Sequence, residues 1–411
     1  MAKENKSVKN FPNLRFPGFE GEWRFTNLGN CAYSFEYGMN ASAIKFDGEN
    51  RYIRITDIDE ASSKYKPEFP VSPNGQLLDK YLVSENDILF ARTGASTGKS
   101  YLYHKDDGKL YFAGFLIRAK IKEEFNSYFV FTQTKTIHYY KWVQLMSMRS
   151  GQPGINLQEY ACYSFHIPSK KEQDKIASFL LFVDERIQTQ KKIIEQLKTL
   201  MKASREKIFS KKLRFKNENN DFYSEWKSTK LKNISQIFDG THQTPKYVKK
   251  GVPFYSVENL TANNFSVTKY ISEEVFIKEN NRVKIEKGDI LMTRIGDIGT
   301  VKYIDWNVNA SFYVSLALIK SNNDNNSKYL AQYISSDKFQ NELWNRTIHV
   351  AFPKKINLGE IGECLLKIPC IEEQTKIANF LSSIQEKIET EKQILEKLEQ
   401  QKKFLMANLF V

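Results

Sequence analysis

Two stretches of the chain carry apolar residues at alternating steps of four and three. The first runs through Ile176, Leu180, Val183, Ile187, Ile194, Leu197, Met201 and Ile208. The second runs through Ile377, Leu381, Ile384, Ile388, Leu395, Leu398, Leu405 and Leu409. This spacing lays one apolar stripe along a helix at the heptad period. Each stretch follows an Ile-Pro pair, and Glu172-Gln173 or Glu373-Gln374 puts a carboxylate in the first turn, where the amide dipoles favour it. Roughly 40 residues at about 1.5 Å each make a rod of about 60 Å. A seam of about five heptads needs a partner helix, and the nearest partner is the other stretch, running antiparallel as an antiparallel coiled coil. The alternative is a long helix packed on its own globular part. Gln190 and Glu391 interrupt the two seams at matching places, as polar residues that set register do. Elsewhere, short β-rich runs such as Tyr52 to Ile55, Asp87 to Phe90, Phe254 to Val257 and Asp289 to Met292 alternate with Gly- and Asn-containing turns, which predicts α/β or α+β globular parts. Only the first ten residues and Ser321 to Ser327 look loose.

The matching places belong to a longer correspondence. Ile155-Asn156-Leu157 returns as Ile356-Asn357-Leu358, Ile167-Pro168 as Ile368-Pro369, and Lys175-Ile176-Ala177 as Lys376-Ile377-Ala378, always 201 residues on. Asp87-Ile88-Leu89, Arg92-x-Gly94 and Trp23 recur at Asp289-Ile290-Leu291, Arg294-x-Gly296 and Trp226, where small loop insertions shift the spacing. An ordered series of this length marks a tandem duplicate. It predicts a pseudo-two-fold symmetric molecule with a first globular domain at 1–168, a helix at 169–212, a second globular domain at 213–369 and a helix at 370–411. Val411 aligns with Ser210, and Leu213-Arg214-Phe215 resembles Leu14-Arg15-Phe16. The repeat closes on itself, so the two termini are expected to lie close together.

Composition narrows the function. The chain of 411 residues has a formal net charge of +13, and residues 169–215 alone hold 13 basic against 6 acidic side chains. A basic balance suits a polyanion partner, and the mixed signs favour selective contacts. Cys31, Cys162, Cys364 and Cys370 form no C-x-x-C pair and the five histidines form no H-E-x-x-H, so no zinc site or disulfide framework is visible. No apolar run reaches the roughly 18–20 residues of a membrane span and no signal peptide is evident, so a cytoplasmic protein without membrane partners is expected.

Motifs for chemistry are missing where an enzyme would need them. Gly94-Ala95-Ser96-Thr97-Gly98-Lys99-Ser100 resembles a phosphate-binding loop but has three residues between its glycines instead of four, and its duplicate from Gly296 lacks Lys-Ser. A tight glycine turn explains both copies. No methyltransferase loop and no Pro-Pro occur. Carboxylate-x-Lys triplets at Asp107 and Glu225 are what any charged chain contains. What remains are turns rich in donors and acceptors: Arg54; Arg92, Thr93, Ser96 and Lys99; Arg149 and Gln152; Thr241, His242, Gln243, Thr244 and Lys246; Arg294 and Asp297; Lys354 and Lys355. Arginine pairs bidentately with guanine, and Asn or Gln with adenine. These residues are the candidate DNA contacts, and no catalytic or metal residue is assigned.

Taken together, Leu14-Arg15-Phe16-Pro17-Gly18-Phe19 with Trp23, Gly240-Thr241-His242 with Thr244-Pro245, and Ile167-Pro168 through Phe179-Leu180 resemble the specificity subunits of type I restriction–modification enzymes along nearly the full length. The first copy departs from the second loop, reading Gly38-Met39-Asn40. The resemblance implies a non-catalytic subunit whose two target-recognition domains read the halves of a split double-stranded DNA site. It also implies that the two helices space the domains and dock two methyltransferase subunits, with a restriction and translocase subunit completing the complex. S-adenosylmethionine, ATP and magnesium would then sit on those partners and none on this chain. A coiled-coil protein-binding scaffold without DNA specificity is the rival reading.

Overall fold

The computed structural model describes residues 10–60, 62–66, 68–148 and 152–411. The chain forms two compact units, Met1–Gln190 with Ile394–Val411, and Lys191–Gln393. Both boundaries fall inside the long helices, Lys170–Phe209 and Ile371–Asn408, at or beside the polar interruptions Gln190 and Glu391. Each unit therefore takes part of both helices.

In the first unit a four-stranded sheet runs in the order Ala32–Tyr37, Leu116–Ile121, Asp87–Ala91, Ser100–Leu102, antiparallel at every pairing. The second unit repeats it with Ser235–Asp239, Leu316–Ser321, Ile290–Ile295 and Asp297–Tyr303. The central strands read Asp-Ile-Leu-Phe-Ala and Ile-Leu-Met-Thr-Arg-Ile with almost every side chain buried, as strands covered on both faces do. A short ribbon joins the two ends of each globular part: Arg24–Asn27 pairs with Ser164–Ile167, and Lys227–Lys230 with Leu365–Ile368. These are mixed helix and strand domains in tandem. The expected runs beginning at Tyr52 and Phe254 form strands Arg51–Ile53 and Val252–Tyr255, but Ile55 enters a 3-10 turn and Val257 opens a short helix. Ser321 to Ser327 is ordered by caps: Asn326 caps helix Ser327–Ile334 while its backbone N–H donates to Gln374 at 2.9 Å.

The helix starts are built alike. Gln173 and Gln374 each donate to the preceding proline carbonyl at 3.0 Å and accept the N–H of Asn126 or Asn326, which ties the first turn to a neighbouring helix cap. Arg15 grips buried Glu172 with two bonds of 2.8 Å, and Arg214 grips buried Glu373 with two bonds of 3.2 and 2.8 Å. Every seam position named above is buried or partly buried. In the first unit Ile176 and Leu180 share a core with Trp23, Phe129, Leu409 and Phe410, Val183 and Ile187 cluster with Leu398, and Lys402 pairs with Asp184 at 2.5 Å. In the second unit Met201, Ile208 and Phe209 share a core with Trp226, Tyr329, Ile377, Leu381, Ile384 and Ile388. The joints correspond as well: Leu14 N–H donates to the Asn408 carbonyl and Leu213 N–H to the Lys207 carbonyl, both at 2.9 Å. Among the described residues no helix is long and apolar enough to cross a membrane.

Candidate nucleic-acid interface

At one end of each central sheet, loops from distant parts of the chain meet around the duplicated arginine. In the first unit Met39 N–H donates to the Phe112 carbonyl and Gly114 N–H to the Met39 carbonyl, while the Arg92 backbone bonds Phe115 and Ile155. In the second unit Thr241 bonds Phe312 and Val314 in the same pattern, and the Arg294 backbone bonds Ser315 and Ile356. The strands run so close here that a Cβ on Gly38 or Gly240 would overlap the carbonyl of Ala113 or Phe312. A side chain at either position would push the loops apart.

On this shared frame the side chains differ. Arg92 donates from Nε to the Gly114 carbonyl at 3.0 Å, and its guanidinium carbon lies 4.9 Å from the centre of the Tyr37 ring. It lines a cleft of about 800 Å³ with Tyr37, Met39, Asn40, Tyr52, Arg54 and Phe115. Arg54 is held by a two-pronged pair with Asp57, both bonds 2.8 Å. Thr93, Ser96 and Gln152 occupy the adjoining turn: Gly94–Ser96 is a single 3-10 turn, Gly94 N–H donates to Pro153, and the Gln152 amide lies over Gly94. Lys99 pairs with Glu60 at 3.1 Å. Arg149 lies outside the described residues.

In the second unit the aligned arginine is built in. Arg294 is 7% exposed, donates to the carbonyls of Val314 and Ile356 at 2.9 and 3.0 Å, and reaches Asp239 at 3.8 Å. Burial lowers its proton affinity, and the charge of Asp239 opposes that. Asp239 occupies the position of Tyr37 and also takes a bond from Arg282 at 2.8 Å and from His242 at 2.7 Å. Burial raises the Asp239 pKa, but the bonds from Arg282 and His242 outweigh it and leave the carboxyl below its usual value. Thr241 is buried, whereas His242, Gln243, Thr244 and Lys246 are exposed, with Thr244 bonded to the Tyr313 hydroxyl at 3.0 Å. Asp297 accepts from Thr293 at 2.8 Å and so shapes its turn. Lys354 lies over the Trp344 ring at 4.8 Å, while Lys355 joins the turn to Ile295 and Ile348 through its backbone. Sequence reasoning missed Tyr37, Phe115, Asp239, Arg282 and Tyr313. Tyr37 and Asp239 could have been found as the residues preceding the aligned loop glycines, whereas Arg282 carries no local signal. Among the described residues no group of three or more His, Cys, Asp or Glu could hold a metal ion.

Two copies of one sheet, each ending in a loop cluster with a common frame and different exposed side chains, define a duplicated binding protein. Comparison with known proteins gives the family. The sequence profile described as the type I restriction modification DNA specificity domain matches residues 31–199 and again residues 223–400. The chain belongs to this family, as a non-catalytic specificity subunit with two target-recognition domains in tandem. It is 25% identical to the type I restriction enzyme MjaVIII specificity subunit of Methanocaldococcus jannaschii, over 98% of this chain and 95% of that protein. The putative MjaX specificity subunit of the same organism is also 25% identical, over 97% and 95%. The crystal structure of a type I restriction–modification S subunit from M. genitalium superposes with a TM-score of 0.64 at 16% identity, covering 98% of this chain and 99% of that one.

Proposed function

We propose that each loop cluster reads one half of a split double-stranded DNA target. The observation that carries this is the pairing of a constant frame with variable side chains: the same backbone bonds hold both clusters, while Tyr37, Asn40 and Phe115 in one are replaced by Asp239, His242 and Ser315 in the other. A duplicated reader that must recognise two different half-sites needs that division. Lysines and arginines at the rims hold register on phosphates, and loop side chains meet base edges in the major groove. The candidate contacts are Arg54, Arg92, Thr93, Ser96, Lys99, Arg149 and Gln152 for one half, and Thr241 to Thr244, Lys246, Asp297, Lys354 and Lys355 for the other, whereas Arg294, 7% exposed and bonded within its own unit, supports that second cluster.

The two long helices form an antiparallel coiled coil on the pseudo-two-fold axis, which spaces the readers. The heptad seams, and the packing of early seam residues of one helix with late seam residues of the other inside each unit, support this. Both readers must meet one face of the duplex, so the half-sites lie about one helical turn apart. Two methyltransferase subunits dock on the helices, and a restriction and translocase subunit joins them; S-adenosylmethionine, ATP and magnesium belong to those partners. The test is to co-express the chain with its modification subunit and map methylated adenines across the host genome. A split motif with a fixed gap is the expected result. A soluble complex that adds no methylation would favour the scaffold instead.

A further inference from the structure

The duplicated arginines have separate fates, and the difference points to a specific base. Arg294 has its guanidinium turned to carbonyls and a carboxylate of its own unit, so little of it faces outward. Arg92 keeps only the equivalent of the first of those bonds, from Nε to Gly114. Where the second unit has Asp239, the first has Tyr37, whose ring supports the guanidinium from one face and takes no proton from it. Among the described residues, Nη1 and Nη2 of Arg92 make no hydrogen bond. They border the cleft that Arg92 lines, whose walls include Met39, Ala41, Ala43, Ala113 and Phe115, the last 58% exposed.

We infer that Arg92 reads a guanine in the half-site of the first unit, donating from Nη1 and Nη2 to O6 and N7, while Arg294 is a strut that reads no base. This rests on the DNA-reading function proposed above. A phosphate is the obvious competing anion. It is satisfied by a cation in any orientation and favours an open, solvated rim, whereas this guanidinium is held in one plane by a carbonyl at Nε and a ring beneath, inside a largely apolar cleft. A fixed planar fork matches two acceptors side by side. Guanine offers that pair in the major groove, and adenine does not, because its N6 amino group would meet the arginine donor to donor. The other arginine in the cleft, Arg54, is already closed onto Asp57.

The experiment uses the full chain assembled with its modification subunit and duplexes carrying the mapped motif. Each guanine of the motif is replaced in turn by 7-deazaguanine, which lacks the N7 acceptor. One position should weaken wild-type binding by about 10- to 100-fold, the loss of one charged hydrogen bond of the pair while O6 remains. The same replacement should cost the R92A complex nothing further. R92K keeps the charge and loses the planar fork: a guanine contact is weakened, a phosphate contact kept. Wild-type thermal unfolding in the R92K chain confirms that its fold is intact. A motif without guanine in either half would overturn the inference. So would uniform weakening of R92A on all duplexes with a salt slope reduced by about one, the mark of a phosphate contact. A wild-type complex that binds no duplex would overturn the DNA-reading function as well, whereas tight binding with every deaza replacement additive to R92A would overturn this inference alone.

Discussion

Lys135 carries the clearest price of a charge kept in a poor solvent. Its ammonium donates to the hydroxyls of Ser63 and Ser100 at 2.7 and 2.6 Å and lies 4.4 Å from the centre of the Phe131 ring, with no carboxylate bonded to it among the described residues. Burial, with a smaller push from Lys402, brings its pKa down to about 7. In the unfolded chain a lysine titrates near 10.4. Between those values the unfolded chain binds the extra proton, so the first unit gains stability as pH rises from about 7 to about 10. Below pH 7 both states are protonated and the whole cost of desolvation is present. K135M should remove the alkaline gain and raise stability at neutral pH. Urea midpoints of wild type and K135M at pH 7 and pH 9.5 measure this, and parallel midpoints at both values would refute it. The aligned residue of the second unit is Ser335, just before the Ser336 cap of the helix Asp337–Arg346, so the effect belongs to one unit. Gly38 and Gly240 show the opposite situation, in which the shared frame tolerates no variation because a carbonyl stands where a side chain would begin.

At the scale of elements, the long helices owe little to local preference alone; the stripe of apolar residues is what each unit encloses. Leu180 and Leu381 are aligned, fully buried, and placed in different units. L180A or L381A should cost about 2–5 kcal/mol through lost contacts and the cavity left behind. Hydrogen exchange should rise in the mutated residue's own unit and stay near wild type in the other; equal rises in both would mean that the two units unfold together. The seams and both helix starts were legible in the sequence, because heptad spacing and an Ile-Pro boundary act locally. The division of each helix between two units was not, since a heptad states that a partner exists without saying which stretch of which helix supplies it. The candidate site divides in the same way. The duplicated turn arginines could be seen as a pair, but the fate of Arg294 depends on Asp239 and the Ile356 carbonyl, 55 and 62 residues away. The approach of Arg282 to Asp239 over 43 residues has no signature in either segment.

At the scale of the whole molecule, the closure of the repeat can be tested by moving the chain ends. In the second unit the passage from the first long helix into the globular part is covalent, and Leu213 N–H returns to the Lys207 carbonyl. In the first unit the same passage is held by a hydrogen bond and packing: Leu14 N–H reaches the Asn408 carbonyl, and Phe410 packs 5.4 Å from Phe129, as Phe209 packs 5.9 Å from Tyr329. Joining the termini by a short flexible linker would therefore make covalent what packing already holds. Opening the chain near Asn219 would cut an exposed turn, after the Leu213 bond and before the ribbon strand Lys227–Lys230. Exposed turns with few cross-contacts accept such cuts, whereas an opening inside either helix would divide a buried seam. The permutant should fold with a thermal midpoint near that of the wild type and, assembled with the modification subunit, direct methylation to the same split motif. A permutant that folds but methylates with a changed gap would show that the covalent joint after Ser210 sets the spacing of the readers. One that fails to fold, beside a wild-type chain joined at its termini without opening that folds normally, would show that the second joint cannot hold without its peptide bond and that the two copies are not interchangeable at their ends.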